Sequence, residues 1–239
     1  VWTVKATPAS YTPPNWDDYI FGVWRPWWLS YNDYAMGFSD IYYGSTDAQQ
    51  GPPTNQLTGV TDATGTHFLR MNFNHAEEPR PYTVDAEAVV MDVNRQAWSS
   101  STSLLVHPAA LYVGLRSDQM FVEAGTPLKF DVIVTDVDGK AVAETPVKVY
   151  AARQEYVWKD GRYVQQDADI QTCEVVSASE AVSCEFATTT GGEYRIWADV
   201  RDDNERLNRT ELTRWVSGGA SAPSRDLQQE QVQIIPDKE

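Results

Sequence analysis

The sequence predicts an all-β protein built from tandem antiparallel β-sandwiches of the immunoglobulin-like or fibronectin-III-like kind. Three observations point there. Apolar and polar residues alternate with a period of two, turn signals separate the alternating runs, and one stretch of chain recurs 110 residues later.

The alternation is plainest in residues 129–135, where Phe130, Val132 and Val134 share a face, and in residues 194–200, where Tyr194, Ile196, Ala198 and Val200 do. Residues 146–150 and 103–106 are shorter β-branched or apolar runs. A period of two sets one side of a strand against a core and the other in water, as in half-buried antiparallel sheets. Asp138-Gly139 reads as a hairpin turn, because both residue types tolerate positive φ; Asp160-Gly161, Thr64-Gly65 and Gly191-Gly192 read alike. No amphipathic pattern longer than two helical turns is present, so the runs assemble as sandwiches.

In the repeat, Val90-Met91-Asp92-Val93-Asn94-Arg95 matches Val200-Arg201-Asp202-Asp203-Asn204-Glu205, and Val106 falls on Val216, each ending a strand. Thr64-Gly65 before a strand at residues 67–70 parallels Gly191-Gly192 before residues 194–197. A unit of this size suits one seven-stranded sandwich. The expected organisation is a sandwich over residues 1–108, a complete one over 109–217, and a polar linker with the first strand of a following domain over 218–239. The first copy begins at residues 1–5, which match the strand starting at Val147, so its first two strands are expected to be missing.

The 239 residues leave room for two domains. Hydrophobic residues make up 42%, enough to build a core. A net charge of −15 argues against nucleic acid or an anionic membrane as partner. No apolar run reaches the roughly 18 residues of a membrane-crossing helix, so direct membrane insertion is not expected.

Several segments together resemble a known family. The stretch Tyr112-Val113-Gly114-Leu115-Arg116-Ser117-Asp118 through Val122-Glu123-Ala124-Gly125-Thr126-Pro127 resembles the start of a macroglobulin domain of a bacterial alpha-2-macroglobulin. Asp138-Gly139-Lys140-Ala141-Val142-Ala143, Gly192-Glu193-Tyr194-Arg195-Ile196 and Arg214-Trp215-Val216-Ser217-Gly218-Gly219 fit the same pattern. The ending, Ile234-Ile235-Pro236-Asp237-Lys238-Glu239, resembles the opening strand of the family's bait-region domain. The resemblance covers nearly the whole chain. It implies a multi-domain, broad-spectrum protease inhibitor: a protease cuts an exposed bait, the molecule changes shape, and the protease is enclosed. The chain would be a non-catalytic scaffold piece, with proteases as partners of the full-length parent and neighbouring macroglobulin and bait-region domains as partners within it. The implied location is periplasmic or extracellular, with a lipid anchor in the parent left open. The Cys-Gly-Glu-Gln thioester motif of many members is absent, since Cys173 precedes Glu174-Val175 and Cys184 precedes Glu185-Phe186.

If the strands around Ala178-Ser179 pair symmetrically, Cys173 faces Cys184 at disulfide reach, and Val175 faces Val182. The alternative is two buried thiols in a reducing cell. No Cys-x-x-Cys, metal-binding helix spacing or Gly-x-Ser-x-Gly elbow exists, so no catalytic residue, metal or cofactor is assigned. His75-Ala76-Glu77-Glu78 sits in a Pro-broken turn, and Asp136-Val137-Asp138-Gly139 lacks the later ligands of a calcium loop.

The aromatic residues are concentrated: 13 of the 28 lie in residues 1–43, and from Tyr11 onward they fall in a long irregular segment spanning 11–60. Loops of that length are usually functional or interface-forming. Trp16, Trp24, Trp27, Trp28, Tyr31 and Tyr34 therefore mark the candidate interface or ligand platform. Three readings are open: packing on the second module or a neighbour, folding back over the first sandwich, or presenting Trp faces to a carbohydrate. The last would make the chain a carbohydrate-binding or adhesive sandwich pair.

Overall fold

The structure, a computed structural model, describes residues 1–24, 54–71, 79–159 and 162–218. Within them, regular structure is all strand. Strands β1 (Trp2–Pro8), β2 (Thr54–Leu57), β3 (Tyr82–Met91) and β4 (Ala97–Val106) form one antiparallel sheet in the order β2-β1-β3-β4. Strands β5 (Leu111–Arg116), β6 (Phe121–Val122), β7 (Leu128–Asp136), β8 (Pro146–Lys159), β9 (Arg162–Val176), β10 (Val182–Phe186), β11 (Gly192–Arg201) and β12 (Leu207–Val216) build a sandwich. Its sheets run β10-β7-β5 and β6-β12-β11-β8-β9.

Alternation explains the core. Val113, Leu115, Phe130, Val132 and Val134 point inward from the smaller sheet, and Val147, Val149, Ile196, Ala198 and Leu212 from the larger; all are buried. The inward residues of the 129–135 and 194–200 runs are the ones the period of two selects.

The internal repeat is one hairpin used twice. Tyr82 pairs with Val106 and Met91 with Ala97; 110 residues later Gly192 pairs with Val216 and Arg201 with Leu207. The two turns share one hydrogen-bond pattern. The Asp92 carboxylate accepts the N–H groups of Asn94 and Gln96, and that of Asp202 accepts those of Asn204 and Arg206. Each turn closes with a positive-φ residue, Arg95 or Glu205. The order β2-β1-β3-β4 also repeats as β9-β8-β11-β12. Among the described residues, no second sheet faces the first one, and β4 is an outer strand exposed along nearly all its length. Trp98 (69%) and Leu104 (58%) stand open to solvent there. Trp2 is half-buried, donating its indole N–H to His67 Nδ1 at 3.1 Å.

Three local expectations are corrected. Cys173 and Cys184 are disulfide-bonded, but not across a hairpin: β9 pairs with β8, whereas β10 pairs with β7 in the opposite sheet. The bond therefore staples the two sheets, and Val175 lies opposite Val147 rather than Val182. Gly191-Gly192 is not a hairpin turn; it leads into β11 as the chain passes from one sheet to the other. Residues 67–70 form no strand; the true equivalent of β11 is β3, further along. The Asp136 turn does follow the hairpin reading. Its carboxylate accepts the N–H groups of Asp138 and Lys140, and Gly139 takes φ +83°. The turn expected at Asp160-Gly161, the His75–Glu78 stretch and residues 219–239, including the expected next strand, lie outside the described residues.

Candidate interface: an aromatic strap on the second sandwich

Residues 11–24 leave the first sheet after β1 and run along the second sandwich. They contribute in two ways. Tyr11, Trp16, Tyr19 and Phe21 cover the outer face of the three-stranded sheet, packing on Tyr112, Ile133 and Val137. Ile20 and Trp24 then turn inward against the main core. The smaller sheet is thus buried on both sides, which the period of two does not show.

Backbone bonds fix the path. Ile20 exchanges two hydrogen bonds with Leu115 on the free edge of β5, at 2.8 and 3.0 Å. Two residues on, the strap reaches β12: Glu211 N–H donates to Gly22 O, and Trp24 N–H donates to Glu211 O. β5 is the outer strand of one sheet, and β12 is flanked on that side of the other only by the two-residue β6 at Trp215–Val216, so the strap closes the seam between the sheets. Unpaired edges carry unsatisfied backbone groups, and covering them removes that liability. Asn208 and Thr210 complete the seam. The Asn208 side-chain oxygen accepts the Val113 N–H at 3.1 Å, and the Thr210 hydroxyl donates to Val113 O at 2.6 Å. Gly22 N–H in turn donates to the Thr210 hydroxyl oxygen.

Side chains lock the strap at its start. The Tyr11 hydroxyl donates to Val137 O, and the Trp16 indole N–H to Gly139 O at 2.8 Å. Two glycines are kept small by the strap: a Cβ on Gly114 would come within 2.6 Å of the Phe21 ring, and one on Gly139 within 2.2 Å of Pro14 O. Arg116 bridges Asp18 on the strap and Asp131 on β7 at 2.5 and 2.8 Å, with its guanidinium over the Tyr19 ring. Hydrogen bonds to Asp131 and then Asp18 raise the Arg116 pKa, and the Asp131 carboxyl is lowered by the same contact. At the junction between the modules, His107 Nδ1 lies 2.6 Å from the Tyr112 hydroxyl, and Tyr11 packs edge-on against the His107 ring. Burial raises the Tyr112 pKa and lowers that of His107.

Arg214 is the exception to this tidy pairing. It is 3% exposed, with its guanidinium 5.3 Å from the Trp24 ring and 5.8 Å from that of Phe130. One N–H reaches Thr213 O; among the described residues Nε has no partner and no carboxylate answers the charge. Burial brings its pKa down to about 10.

Of the six residues proposed as a platform, Trp16 and Trp24 are half-buried in these contacts; Trp27, Trp28, Tyr31 and Tyr34 lie outside the described residues. Sequence reasoning missed Asn208 and Thr210. Asn208-Arg209-Thr210 has the form of a glycosylation sequon, but Asn208 is buried. Among the described residues, no group of three metal-binding side chains gathers. The arrangement ties the segment that follows β1 to the sandwich of β5–β12.

No family model matches the chain. Over 219 residues, 88% of its length, it is 22% identical to an alpha-2-macroglobulin homolog of Nostoc sp. (strain PCC 7120), spanning 10% of that protein. A shorter stretch, 58% of the chain, is 26% identical to 3% of Circularly permutated Ras protein 2 of Dictyostelium discoideum. Trypsin-activated alpha-2-macroglobulin from Escherichia coli superposes with a TM-score of 0.51 at 16% identity, over 92% of this chain and 14% of that one. Its native conformation gives 0.50 over 90% of this chain. In sequence and in fold, this chain resembles the bacterial alpha-2-macroglobulins over about nine-tenths of its length, with the all-β architecture of their macroglobulin domains.

Proposed function

We propose that the chain is a non-catalytic scaffold within a broad-spectrum, protease-trapping inhibitor of the alpha-2-macroglobulin type. In this reading it positions the bait and capture domains of its parent, and its partners there are the neighbouring macroglobulin and bait-region domains. Proteases are partners of the full-length parent. The observation that carries the reading is the breadth of the likeness, which extends through both modules rather than one common sandwich. The strap supports it physically. A module pinned to its neighbour through backbone pairing, core side chains and an ion bridge moves with that neighbour as one body, which is what a scaffold that relays a shape change requires.

The same proposal divides the chain at residues 1–108, 109–217 and 218–239 and places the parent in the periplasm or outside the cell. The disulfide suits an oxidising compartment. No helix among the described residues is long and apolar enough to cross a membrane.

The test is an inhibition assay on the full-length parent. After incubation with trypsin, activity on a large protein substrate should fall while activity on a small peptide substrate persists. Undiminished cleavage of the large substrate rejects the trap.

A further inference from the structure

The outer face of the five-stranded sheet carries a row of paired charges. Asp199 holds Arg209 through two bonds of 2.6 and 2.7 Å, and Arg195 binds Glu211 at 2.6 Å and Asp167 at 3.2 Å. Glu193 stands on the same face, two residues before Arg195, and differs from its neighbours. It is half-buried, yet among the described residues its carboxylate makes no hydrogen bond or ion pair, and burial raises its pKa. Arg195 does not serve it, being engaged by its two other acids.

Glu193 also has an unusual frame. Its cross-strand partner on β12 is Trp215, which is 39% exposed. On its other side β8 and β9 run on past the end of the β8–β11 pairing as a two-stranded arm. The register of the β8–β9 pair shifts at a bulge opposite Ala152, where Asp169 takes a positive φ. Beyond the bulge, Tyr156 lies near enough to Glu193 for the carboxylate charge to raise its own pKa, after burial. Opposite Tyr156 on the arm is Gln165, whose side-chain N–H₂ is buried without an acceptor.

These groups ask for one kind of ligand. A desolvated carboxylate without a counter-ion attracts a cation, and aromatic rings beside it add a face on which a guanidinium or ammonium packs. A cation alone leaves Gln165 unsatisfied, because neither Arg nor Lys side chains accept hydrogen bonds. A peptide carbonyl next to the cationic side chain supplies the missing acceptor. We propose that Glu193, framed by Tyr156, Trp215 and Gln165, is a binding site for a basic side chain carried on an extended segment of a partner protein. The chain's net charge of −15 favours such a partner at longer range. The inference stands apart from the protease-trap reading and survives its failure.

The test uses the ¹⁵N-labelled 239-residue chain and two probes, Nα-acetyl-arginine methylamide and its neutral isostere Nα-acetyl-citrulline methylamide. The arginine probe should shift the Trp215 indole and Glu193 amide signals saturably, with a midpoint on the order of 1–10 mM. Citrulline should bind at least about tenfold more weakly, the effect of one charge-assisted contact. Glu193→Gln should weaken the arginine probe by about the same factor while leaving citrulline unchanged, and Trp215→Ala should weaken arginine independently. Equal midpoints for the two probes, or no saturable shift with arginine in the unsubstituted chain, overturns the site.

Discussion

The two copies of the repeated hairpin, β3–β4 and β11–β12, have the same register and the same turn, yet live in opposite surroundings. At matching positions, Leu212 is fully buried while Thr102 is exposed; Asn208 is buried at the seam while Trp98 is in solvent. Asp202 is buried and Asp92 exposed. The backbone design therefore comes from the local sequence, which both copies share. What separates them is the second sheet and the strap, which only β11–β12 has against it among the described residues. The strap follows directly on β1, which pairs with β3 of the open copy, so chain from that side helps cover the other.

The largest difference should appear in the core. Leu212→Ala removes a side chain with no exposed surface and should cost about 2–5 kcal/mol. Thr102→Ala, at the equivalent place in β4, should change stability by no more than about 0.5 kcal/mol. Denaturant midpoints of the two variants decide this. Similar losses for both would mean that β4 is covered in solution and that the two copies are not opposites.

Much of this contrast could be read in the sequence, and some could not. Strand faces followed from the alternation of Phe130, Val132 and Val134, and the 110-residue offset located the hairpin, because both depend on neighbours along the chain. The route from β9 to β10 did not follow. Spacing placed Cys173 within reach of Cys184, but a short polar connection can close a hairpin or cross between sheets equally well, and here it crosses. The strap was visible only as an aromatic excess. Its partners, Gly114, Thr210 and Glu211, are separated from it by roughly 90 to 190 residues, and no local pattern pairs them. The role of Asn208 was hidden for the same reason: its Val113 partner lies on another sheet.

A middle-sized effect should come from the shared turn. Both aspartates accept the same two turn N–H groups, but Asp202 also accepts the Ala110 N–H at the module junction and the Arg206 side chain. Burial on its own would raise the Asp202 pKa; the bonds from Ala110, Arg206 and Asn204 outweigh it and hold the carboxyl at about 2. Because the folded group titrates below the unfolded one, its contribution is complete above about pH 4 and is lost as pH falls toward 2. Asp202→Asn should cost about 1–3 kcal/mol at neutral pH and flatten this acid limb. Asp92→Asn should leave both within about 0.5 kcal/mol of the parent. Urea titrations at neutral and acid pH give the comparison, and an unchanged acid limb in Asp202→Asn would assign the linkage to other carboxyls.

The smallest expected effect concerns the one place where the copies look inverted. Arg214, a cation, lies in the covered copy, whereas its counterpart Leu104 lies in the open one. Desolvating a guanidinium costs several kcal/mol, and a buried ion is normally returned that energy by an opposite charge. Among the described residues, the only returns here are one backbone oxygen and the faces of Trp24 and Phe130. Cation–ring contacts contribute roughly 0.5–2 kcal/mol each, which is comparable to the shortfall rather than larger. Methionine fills a similar volume, keeps the contacts with both rings, and leaves no unsatisfied Nε. Arg214→Met should therefore be neutral, or stabilising by about 1 kcal/mol, in thermal and urea unfolding. A loss greater than about 1 kcal/mol would show that the charge itself holds Trp24, and with it the strap, across the seam.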